Sequence, residues 1–282
     1  MKQLPAEFEQ KAVKDIGWID IHTHLNFLEI SDQEAIQTGL QKGLRHFITI
    51  GTEPQDLPVV LELADKWAPH VYCTLGIHPH EGRVYDSSIE KYLRENLNHP
   101  RVVAVGEIGL DYYYNNSPRQ EQLHAFRAQM ALAEEYQLPV EIHTRDAEED
   151  TISILKEFKG RVTGLIHCFT GTQALADAAL DCGLNISFSG IVTFKSAKDL
   201  QEVCKNTPLD RMHIETDAPF LAPTPLRGQK NQPDCMLWTA KFVSELKRVE
   251  LVPFCEQMKT NAVKMFPKLQ WASSVDSLCN PE

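Results

Sequence analysis

Several features that would place this chain in a specialised class of protein are missing from its sequence. No uninterrupted apolar run reaches the ~20 residues that a membrane helix needs, and residues 1–14 hold no apolar stretch typical of a signal peptide. The seven cysteines are odd in number, scattered, and without a Cys-x-x-Cys pair, so they indicate neither a disulfide framework nor a zinc knuckle. We therefore expect a cytoplasmic protein with reduced thiols and no membrane partner.

Positive charge is also scarce. Lys and Arg number 28 against 39 Asp and Glu, which gives a formal net charge of −11. This balance argues against a broad polyphosphate-binding surface, because non-specific affinity for nucleic acid comes mainly from Lys and Arg that neutralise phosphates. It leaves open a local cationic site, such as a bound metal ion. The 43% hydrophobic and 24% charged shares are close to globular averages, so a disordered or fibrous chain is not expected.

Short apolar runs rich in β-branched residues alternate with longer helical patterns about eight times along the chain. The runs lie at 16–21, 47–50, 71–76, 102–106, 139–142, 162–166, 185–188 and 212–215. Helical spacing of apolar residues marks segments between them, such as 118–137, 147–158 and 174–182. Continuous apolar strands that alternate with helices indicate βα units in a parallel sheet covered on both faces.

Eight such units favour one closed barrel over an open sheet, because no Gly-x-Gly-x-x-Gly motif follows the first strand. The predicted fold is a single-domain α/β protein, a (β/α)8 TIM barrel over residues 1–267, with a short leading helix at 2–14 and a polar tail at 268–282. A loop at 218–233 contains four prolines and should lie on the active face. Ser31 and Ser117 are predicted helix N-caps, the second with Pro118 at the first helical position.

Polar side chains recur at the carboxyl ends of the predicted strands, where barrel enzymes carry their active sites. His22 and His24 end the first strand two residues apart, so they point to the same side of an extended chain and can bind one ion together. The other candidates follow strands four, five, six and eight: Glu107, His143, His167 and Asp217. This mixed nitrogen and oxygen set predicts a site for zinc, manganese or a related divalent ion, in which Glu107 can bridge two ions.

Seven stretches carry a family resemblance. They are DIHTHL at 20–25, GIHPH at 76–80, GEIGLDYYY at 106–114, PVEIHTRDA at 139–147, HCFTG at 167–171, ETDAPFLAPTPLRGQKNQP at 215–233 and TNAVKMF at 260–266. In this combination and order they resemble the TatD family of metal-dependent deoxyribonucleases, within the amidohydrolase-like metal-dependent hydrolases. The resemblance implies a distorted barrel and a centre of two divalent metal ions, Zn, Mg or Mn.

The resemblance also implies how the candidate ligands divide. One ion would be held by His22, His24, Glu107 and Asp217, and the other by Glu107, His143 and His167. His78 matches a family position that faces the site, where it would contact a phosphate or a metal-bound water; the alternative is a residue that only packs the turn beside Pro79. Asn26 stands where the family more often has Asp, so no charged role is assigned to it.

Two divalent ions lower the pKa of a water molecule toward neutrality and draw charge from a phosphoryl oxygen. Asp217, an ionised carboxylate beside the ions, is the candidate acceptor of the water proton, or else a ligand only. We assign phosphate binding to His78, Arg145 and Arg227, since a guanidinium can pair two oxygens. Arg145 could instead form an ion pair with Glu141 or an acidic neighbour.

Three consecutive tyrosines follow the fourth strand. Tyr112, assigned to substrate binding, and its neighbours Tyr113 and Tyr114 could stack on a splayed base, but packing of at least two of them against the next helix is the favoured interpretation. The acidic run at 146–150 is interpreted as a solvated helix start, because negative charge is favourable there.

The function these observations favour is that of a catalytic metal-dependent DNA hydrolase. It would be a 3′–5′ exonuclease-type deoxyribonuclease, acting on single strands or 3′ ends and also at damaged sites, in which Glu107, Asp217 and His78 carry the chemistry. The main alternative is a hydrolase of small esters, lactones, amides or phosphoesters, which the same barrel supports by loop variation. A non-enzymatic binding or scaffold protein is disfavoured, because all the proposed ligands are present. We expect a monomer.

Overall fold

Eight parallel strands form one sheet in residues 4–272, the part of the chain that the computed structural model describes. They are β1 (Trp18–Thr23), β2 (Leu44–Ile50), β3 (Val71–Leu75), β4 (Val102–Asp111), β5 (Val140–Arg145), β6 (Gly164–Ile166), β7 (Asn185–Phe188) and β8 (Met212–Ile214). Each strand pairs with the next in chain order. Thr23 also forms a parallel bridge with Ala218, which follows β8, so the first and last strands meet and the predicted barrel is confirmed.

In the described residues, one α-helix lies between each pair of consecutive strands, one precedes the first strand and two follow the last. The helices are α1 (Lys11–Ile16), α2 (Asp32–Gln41), α3 (Asp56–Lys66), α4 (Ser87–Asn96), α5 (Arg119–Tyr136), α6 (Glu148–Glu157), α7 (Gln173–Asp181), α8 (Lys198–Asn206), α9 (Met236–Lys247) and α10 (Leu251–Met265). The predicted segments 118–137, 147–158 and 174–182 agree with α5, α6 and α7 to within one residue at each end. The predicted leading helix is shorter than expected, because the backbone at Gln10 is extended and separates a 3-10 turn, Ala6–Glu9, from α1.

One of the two predicted caps is wrong. Ser31 caps α2 as expected, since its side chain accepts a hydrogen bond from the Glu34 backbone N–H. Ser117 does not cap α5, which begins at Arg119. The buried Ser117 hydroxyl donates to the His80 carbonyl (2.7 Å) and accepts from the Arg83 N–H (3.1 Å). Its hydrogen bonds therefore hold the turn that follows β3 instead of the helix.

Three strands continue past the apolar runs that predicted them, β1 by two residues to Thr23 and β4 and β5 by more. β4 extends to Asp111 and β5 to Arg145, so Glu107 and His143 lie within strands. Pairing continues through Gly109, which lies opposite His143 with φ +137°, and a Cβ at Gly109 would stand 1.9 Å from the His143 carbonyl oxygen. Only glycine permits this approach of the two strands. The prediction ended early because polar side chains interrupt the apolar pattern there.

The core of the described residues has one large cluster, a smaller second one and a third of only three residues in the loop after β8. The large cluster joins strand residues such as Phe47 and Val140 to the surrounding helices. The smaller one joins Ile48, Leu165 and other strand residues to Phe266 and Leu269, which follow α10. These residues close the end of the barrel opposite the site, because the segment also meets the first residues of β2 and β3: Ala272 N–H donates to His46 and Gln270 N–H to Tyr72.

The predicted polar tail, residues 268–282, is described only as far as residue 272. In that part the Leu269 side chain is buried and Lys268 donates to the carbonyls of Leu97 and His99. Residues 273–282 lie outside the described part, as do residues 1–3. Within residues 4–272, none of the helices combines the length and the apolar character that crossing a bilayer requires.

Candidate metal centre

A cavity of about 640 Å³ opens at the carboxyl ends of the strands. Five of the six predicted metal ligands line it together with His78: His24, Glu107, His143, His167 and Asp217. His22 lies fully buried beneath them. Parallel strands present their carboxyl ends at one face of a barrel, and residues that are far apart in the sequence therefore converge here.

The first group of ligand-type atoms joins the two ends of the sheet. His24 Nε2 lies 3.3 Å from Asp217 Oδ1, and His22 Nε2 lies 3.9 Å from the same oxygen. Asp217 takes a left-handed backbone conformation (φ +56°), and its N–H donates to the His22 carbonyl at 2.9 Å. Thr216 also donates from its N–H and hydroxyl to Asp20, two residues before His22. These bonds between β1 and the segment after β8 hold the three side chains together.

Glu107 lies between this group and the other histidines. Its Oε2 is 3.6 Å from His22 Nε2, while its Oε1 is 2.7 Å from His167 Nε2, 3.0 Å from His143 Nδ1 and 3.4 Å from His78 Nε2. The carboxylate is 3% exposed, so its neighbours decide its charge state. The two oxygens of one buried carboxylate thus face two different sets of imidazoles.

A second layer of carboxylates orients these imidazoles. Glu141 Oε2 lies 2.7 Å from His22 Nδ1, Glu215 Oε1 3.3 Å from His167 Nδ1, and Asp111 Oδ2 3.0 Å from His143 Nε2. A carboxylate on one ring nitrogen fixes the tautomer and raises the basicity of the other nitrogen, as in most protein metal sites. Sequence reasoning did not assign these three roles. Glu141 precedes the predicted ligand His143 by two residues within β5, and that spacing places both side chains on the same strand face.

The buried nitrogen atoms provide the test of whether metal ions fit. Nε2 of His22 and of His167 are buried, and neither makes a hydrogen bond within residues 4–272. Their Nδ1 atoms face carboxylates, so Nε2 is the nitrogen that each ring presents toward Glu107 and to an ion held there. Buried polar atoms without partners are rare and call for an explanation such as a bound ion. The donors fit a site for divalent ions of the zinc or manganese type.

Among residues 4–272, ligand-type atoms come within 4.8 Å of one another in three groups: His22, His24 and Asp217; His78, Glu107 and His143; and His22, His167 and Glu215. The first is the predicted first ligand set without Glu107. The predicted second set is distributed differently, since His78 joins Glu107 and His143, while the His167 ring stacks on the His22 ring at 3.8 Å. Glu107 nevertheless contacts members of both predicted sets.

The electrostatics of the cluster favour charged carboxylates. Burial acts to raise the pKa of Glu107, but the imidazole of His167 and a hydrogen bond from His143 hold it well below its usual range. The pKa of Asp217 is likewise lowered, against burial, chiefly by the hydrogen bond with His24. Burial would lower the pKa of His167, but Glu107 raises it to about 10. Glu107 and Asp217 are therefore anionic, the form that binds divalent ions.

His78 combines the two alternatives predicted for it, a side chain that faces the site and one that packs the turn beside Pro79. Its Nδ1 accepts the His80 backbone N–H at 3.1 Å and so caps the 3-10 turn Pro79–Val84, while its Nε2 faces Glu107 in the cavity. Burial lowers the pKa of His78 to about 4, so the ring is neutral. Because Nδ1 is an acceptor, the proton of the neutral ring lies on Nε2. Asn26, where the family more often has Asp, donates to the carboxylate of Asp56.

Of the two predicted phosphate-binding arginines, only Arg145 lines the cavity. Its guanidinium lies 3.8 Å from the centre of the Tyr113 ring and makes no hydrogen bond or ion pair within residues 4–272. The alternative ion pair with Glu141 is wrong, because Glu141 faces His22. Arg227 is exposed and stacks on Phe194 outside the cavity lining.

The three consecutive tyrosines have different environments from those predicted. Tyr112, predicted to bind substrate, instead donates from its hydroxyl to Asp150 and packs under Arg119 of α5. Tyr113 and Tyr114 are 58% and 55% exposed, so the interpretation that at least two pack against the next helix is wrong. The solvated helix start is also only partly correct, because Asp150 binds Arg119 as well as Tyr112, and Glu148 accepts two hydrogen bonds from Thr172.

A parallel α/β barrel with buried histidines and carboxylates at the carboxyl ends of its strands defines the class of metal-dependent hydrolases. Residues 19–267 match the family model described as TatD related DNase. The chain therefore belongs to the TatD family.

Relatives and solved structures agree with this placement. The chain is 36% identical over 250 residues to the uncharacterized metal-dependent hydrolase YabD of Bacillus subtilis, covering 88% of this chain and 98% of that one. It is 35% identical over 259 residues to the uncharacterized metal-dependent hydrolase YcfH of Escherichia coli K12, covering 88% and 95%. The crystal structure of YJJV, a TatD homolog from Escherichia coli K12, superposes with a TM-score of 0.84 at 28% identity, covering 90% of this chain and 99% of that chain.

Proposed function

We propose that this TatD family hydrolase is a deoxyribonuclease that removes nucleotides from the 3′ ends of single-stranded or frayed DNA, and that it also acts at damaged sites. The observation that carries the proposal is the position of Glu107, whose two oxygens face His22 on one side and His143 and His167 on the other. One carboxylate between two imidazole sets would hold a pair of divalent ions together with those imidazoles. The ions that we expect are Zn, Mg or Mn.

When bound, two divalent ions supply an activated water and neutralise charge on the phosphoryl group. The chain provides the rest of the chemistry. Asp217 is placed to accept the proton of the attacking water, since its carboxylate lines the cavity and its pKa is lowered by His24. Glu141 and Glu215 hold the rings of His22 and His167 in one orientation, so that the Nε2 atoms stay directed toward Glu107, where they would hold the ions.

Phosphate is bound by Arg145 and His78. Arg145 brings to the cavity a guanidinium that pairs with no carboxylate in the described residues, and a guanidinium can bind two phosphate oxygens at once. His78 carries its proton on Nε2 and can donate it as a hydrogen bond to a third oxygen. Arg227 and Tyr112 receive no role here, because neither lines the cavity.

The acidic net charge of −11 is compatible with this substrate. Coating of duplex DNA requires many Lys and Arg on one face, whereas the gripping of one phosphate at a strand end does not. Two divalent ions would also offset the local charge of Glu107 and Asp217. We therefore expect weak, metal-dependent engagement of a strand end and little binding in chelator.

A mapped cleavage ladder tests the proposal. A 5′-labelled single-stranded oligonucleotide is incubated with purified protein and Mg²⁺, Mn²⁺ or Zn²⁺, beside the same sequence as duplex, as RNA and with an abasic damage site. Stepwise shortening from the 3′ end, abolished in Glu107→Gln and retained in the matched control Glu62→Gln on the exposed face of α3, is the expected result.

A panel of small esters, lactones, amides and phosphoesters runs in parallel. Turnover of one of these far above the nuclease rate would replace the proposal with the small-substrate alternative. Internal cuts without 3′ shortening would reject the exonuclease assignment while keeping the nuclease. Light scattering on the same preparation measures the oligomeric state, for which we expect a monomer.

A further inference from the structure

Exposed aromatic side chains are concentrated at the mouth of the cavity. Four Phe and Tyr side chains in residues 4–272 are 40% exposed or more, and all four lie on loops that follow strands β1, β4 and β8: Phe27, Tyr113, Tyr114 and Phe220. Three of them, Phe27, Tyr114 and Phe220, line the cavity directly. Apolar side chains held in solvent around one site indicate a binding surface rather than a folding need.

The first pair of rings adjoins the first ligand group. Phe27 stacks in parallel on His24 with ring centres 5.4 Å apart, and Phe220 meets the same imidazole edge-on at 5.8 Å. Both are held by the backbone, since Phe27 N–H donates to His24 and Phe220 N–H to Asp217. Asn231 further donates from its side chain to the Phe220 carbonyl. We call Phe27 and Phe220 the Phe wall.

The second pair adjoins the other histidines. Tyr114 meets the His80 ring edge-on at 5.3 Å, and its N–H donates to Asp111, the carboxylate that orients His143. Tyr113 packs against Tyr114 at 4.9 Å, and the Arg145 guanidinium lies over both rings. We call Tyr113 and Tyr114 the Tyr wall. In a barrel of eight strands in chain order, the end of β4 lies across the mouth from β8 and β1, so the two walls face each other.

We propose that the two walls are stacking sites for the bases on either side of the scissile phosphate, one base on each wall. This inference rests on the proposed deoxyribonuclease function and deepens it. The phosphate joining the two nucleotides would lie between the walls, at Glu107 and beside Arg145, whose guanidinium already lies over the Tyr wall. Every base has a π face, so stacking accepts any base. The walls would therefore bind two unstacked bases without sequence preference.

This arrangement has a consequence for substrate form. Two bases can reach opposite walls only if they are unstacked from each other and unpaired, which a duplex interior does not allow. The walls therefore select single strands and frayed ends. The acidic protein surface contributes little to DNA affinity. Stacking of the two bases beside the scissile phosphate replaces the contacts with other phosphates that a basic surface would make.

The test couples protein variants to substrates that lack one base. Wild type, Phe220→Leu and Tyr114→Leu are compared on three single-stranded oligonucleotides: one complete, one abasic at the 3′-terminal nucleotide and one abasic at the nucleotide before it. On the complete strand each Leu variant should lose about 5- to 100-fold in kcat/KM, the range of one base–aromatic stack. Each variant should match wild type on one abasic strand only, and the two variants should match on different strands.

The conservative variants Phe220→Tyr and Tyr114→Phe keep the rings and should restore most of the rate on the complete strand. Because both rings are half exposed, the Leu variants should unfold at the same melting temperature as wild type. Equal losses on all three strands, or no loss, would overturn the walls while leaving the nuclease intact. A wild-type protein that does not cut the complete strand rejects the proposed function itself. Loss by the Leu variants confined to small aryl esters would reassign the walls to such substrates.

Discussion

Glu141 Oε2 lies 2.7 Å from Nδ1 of His22, and both side chains are completely buried. Neither residue reaches the cavity surface, yet the pair determines how the centre is built. The hydrogen bond turns the His22 ring so that Nε2 faces Glu107 and Asp217. A bare imidazole at that depth could rotate or take the other tautomer, and the carboxylate prevents both.

Replacing Glu141 with Gln should therefore weaken metal binding without removing any ligand. The amide keeps the size of the side chain but lacks the charge that makes the imidazole a strong ligand, and we expect a 10- to 100-fold fall in metal affinity. Titration calorimetry with Zn²⁺ or Mn²⁺ on apo-protein measures it. Glu134→Gln, on the outer face of α5, is the matched control. Unchanged affinity in Glu141→Gln would show that the pair is only structural.

The approach of β4 to β5 at Gly109 should tolerate no side chain. A Cβ there would meet the His143 carbonyl at 1.9 Å, and φ +137° is unfavourable for any other residue. Gly109→Ala must push apart the strands that carry Glu107 and His143, so we expect about 3 kcal/mol of destabilisation and reduced metal content. Gly160→Ala is the control, because Gly160 also has positive φ (+76°) but open space around its Cβ.

Thermal unfolding and metal analysis by mass spectrometry measure both effects. A shift of about 5–10 °C is expected for Gly109→Ala and a smaller one for Gly160→Ala. If Gly109→Ala kept its full metal content at wild-type stability, the close contact of the strands would not support the centre.

The barrel and the ligand positions could be predicted because each depends on one local pattern. Apolar β-branched runs indicate strands. A His or carboxylate at the carboxyl end of such a run lies at the mouth of the barrel, because all eight strands are parallel. The roles of Asp111 and Glu141 could not be predicted, because a carboxylate in a strand has no local sign of the imidazole it will meet. The predictions for Ser117 and Tyr113 were wrong for a related reason. Both were assigned to the nearby helix, but Ser117 forms hydrogen bonds with the turn after β3 and Tyr113 is exposed to solvent.

Substitution of Arg145 should lower activity on phosphodiester substrates far more than substitution of Arg227, although both residues were predicted to bind phosphate. Arg145 lines the cavity, whereas Arg227 stacks on Phe194 outside it. Arg145→Ala should lower kcat/KM for a single-stranded oligonucleotide about 10- to 100-fold, the worth of a charge-assisted hydrogen bond. Arg227→Ala should change it less than twofold. Arg145→Lys should recover part of the loss, since it keeps the charge without the planar fork.

Steady-state kinetics across a range of oligonucleotide concentrations distinguishes the two arginines. The reverse order, with Arg227→Ala the more damaged variant, would mean that the proline-rich loop moves over the cavity when substrate binds. Equal and small effects would remove the guanidinium from phosphate binding and leave His78 as the remaining donor.

Acid should destabilise the protein through His213, which lies in β8 away from the cavity lining. Burial lowers the pKa of His213 to about 3, and its Nε2 accepts a hydrogen bond from Asn185 at 2.9 Å. In the unfolded chain the same group has its ordinary pKa of about 6.5. Between these values the unfolded state binds a proton that the folded state refuses, so the free energy of unfolding falls as the pH drops from 6.5 toward 3.

The contribution of this one group should reach about 2 kcal/mol at pH 5 relative to pH 8. His213→Gln cannot take up the proton, so its unfolding free energy should fall less steeply over that interval than that of wild type. Urea unfolding of wild type, His213→Gln and the exposed control His124→Gln at pH 8, 6.5 and 5 measures the slopes. The control should follow wild type. Parallel curves for all three proteins would mean that His213 is protonated in the folded state and that its burial is relieved by a partner other than Asn185.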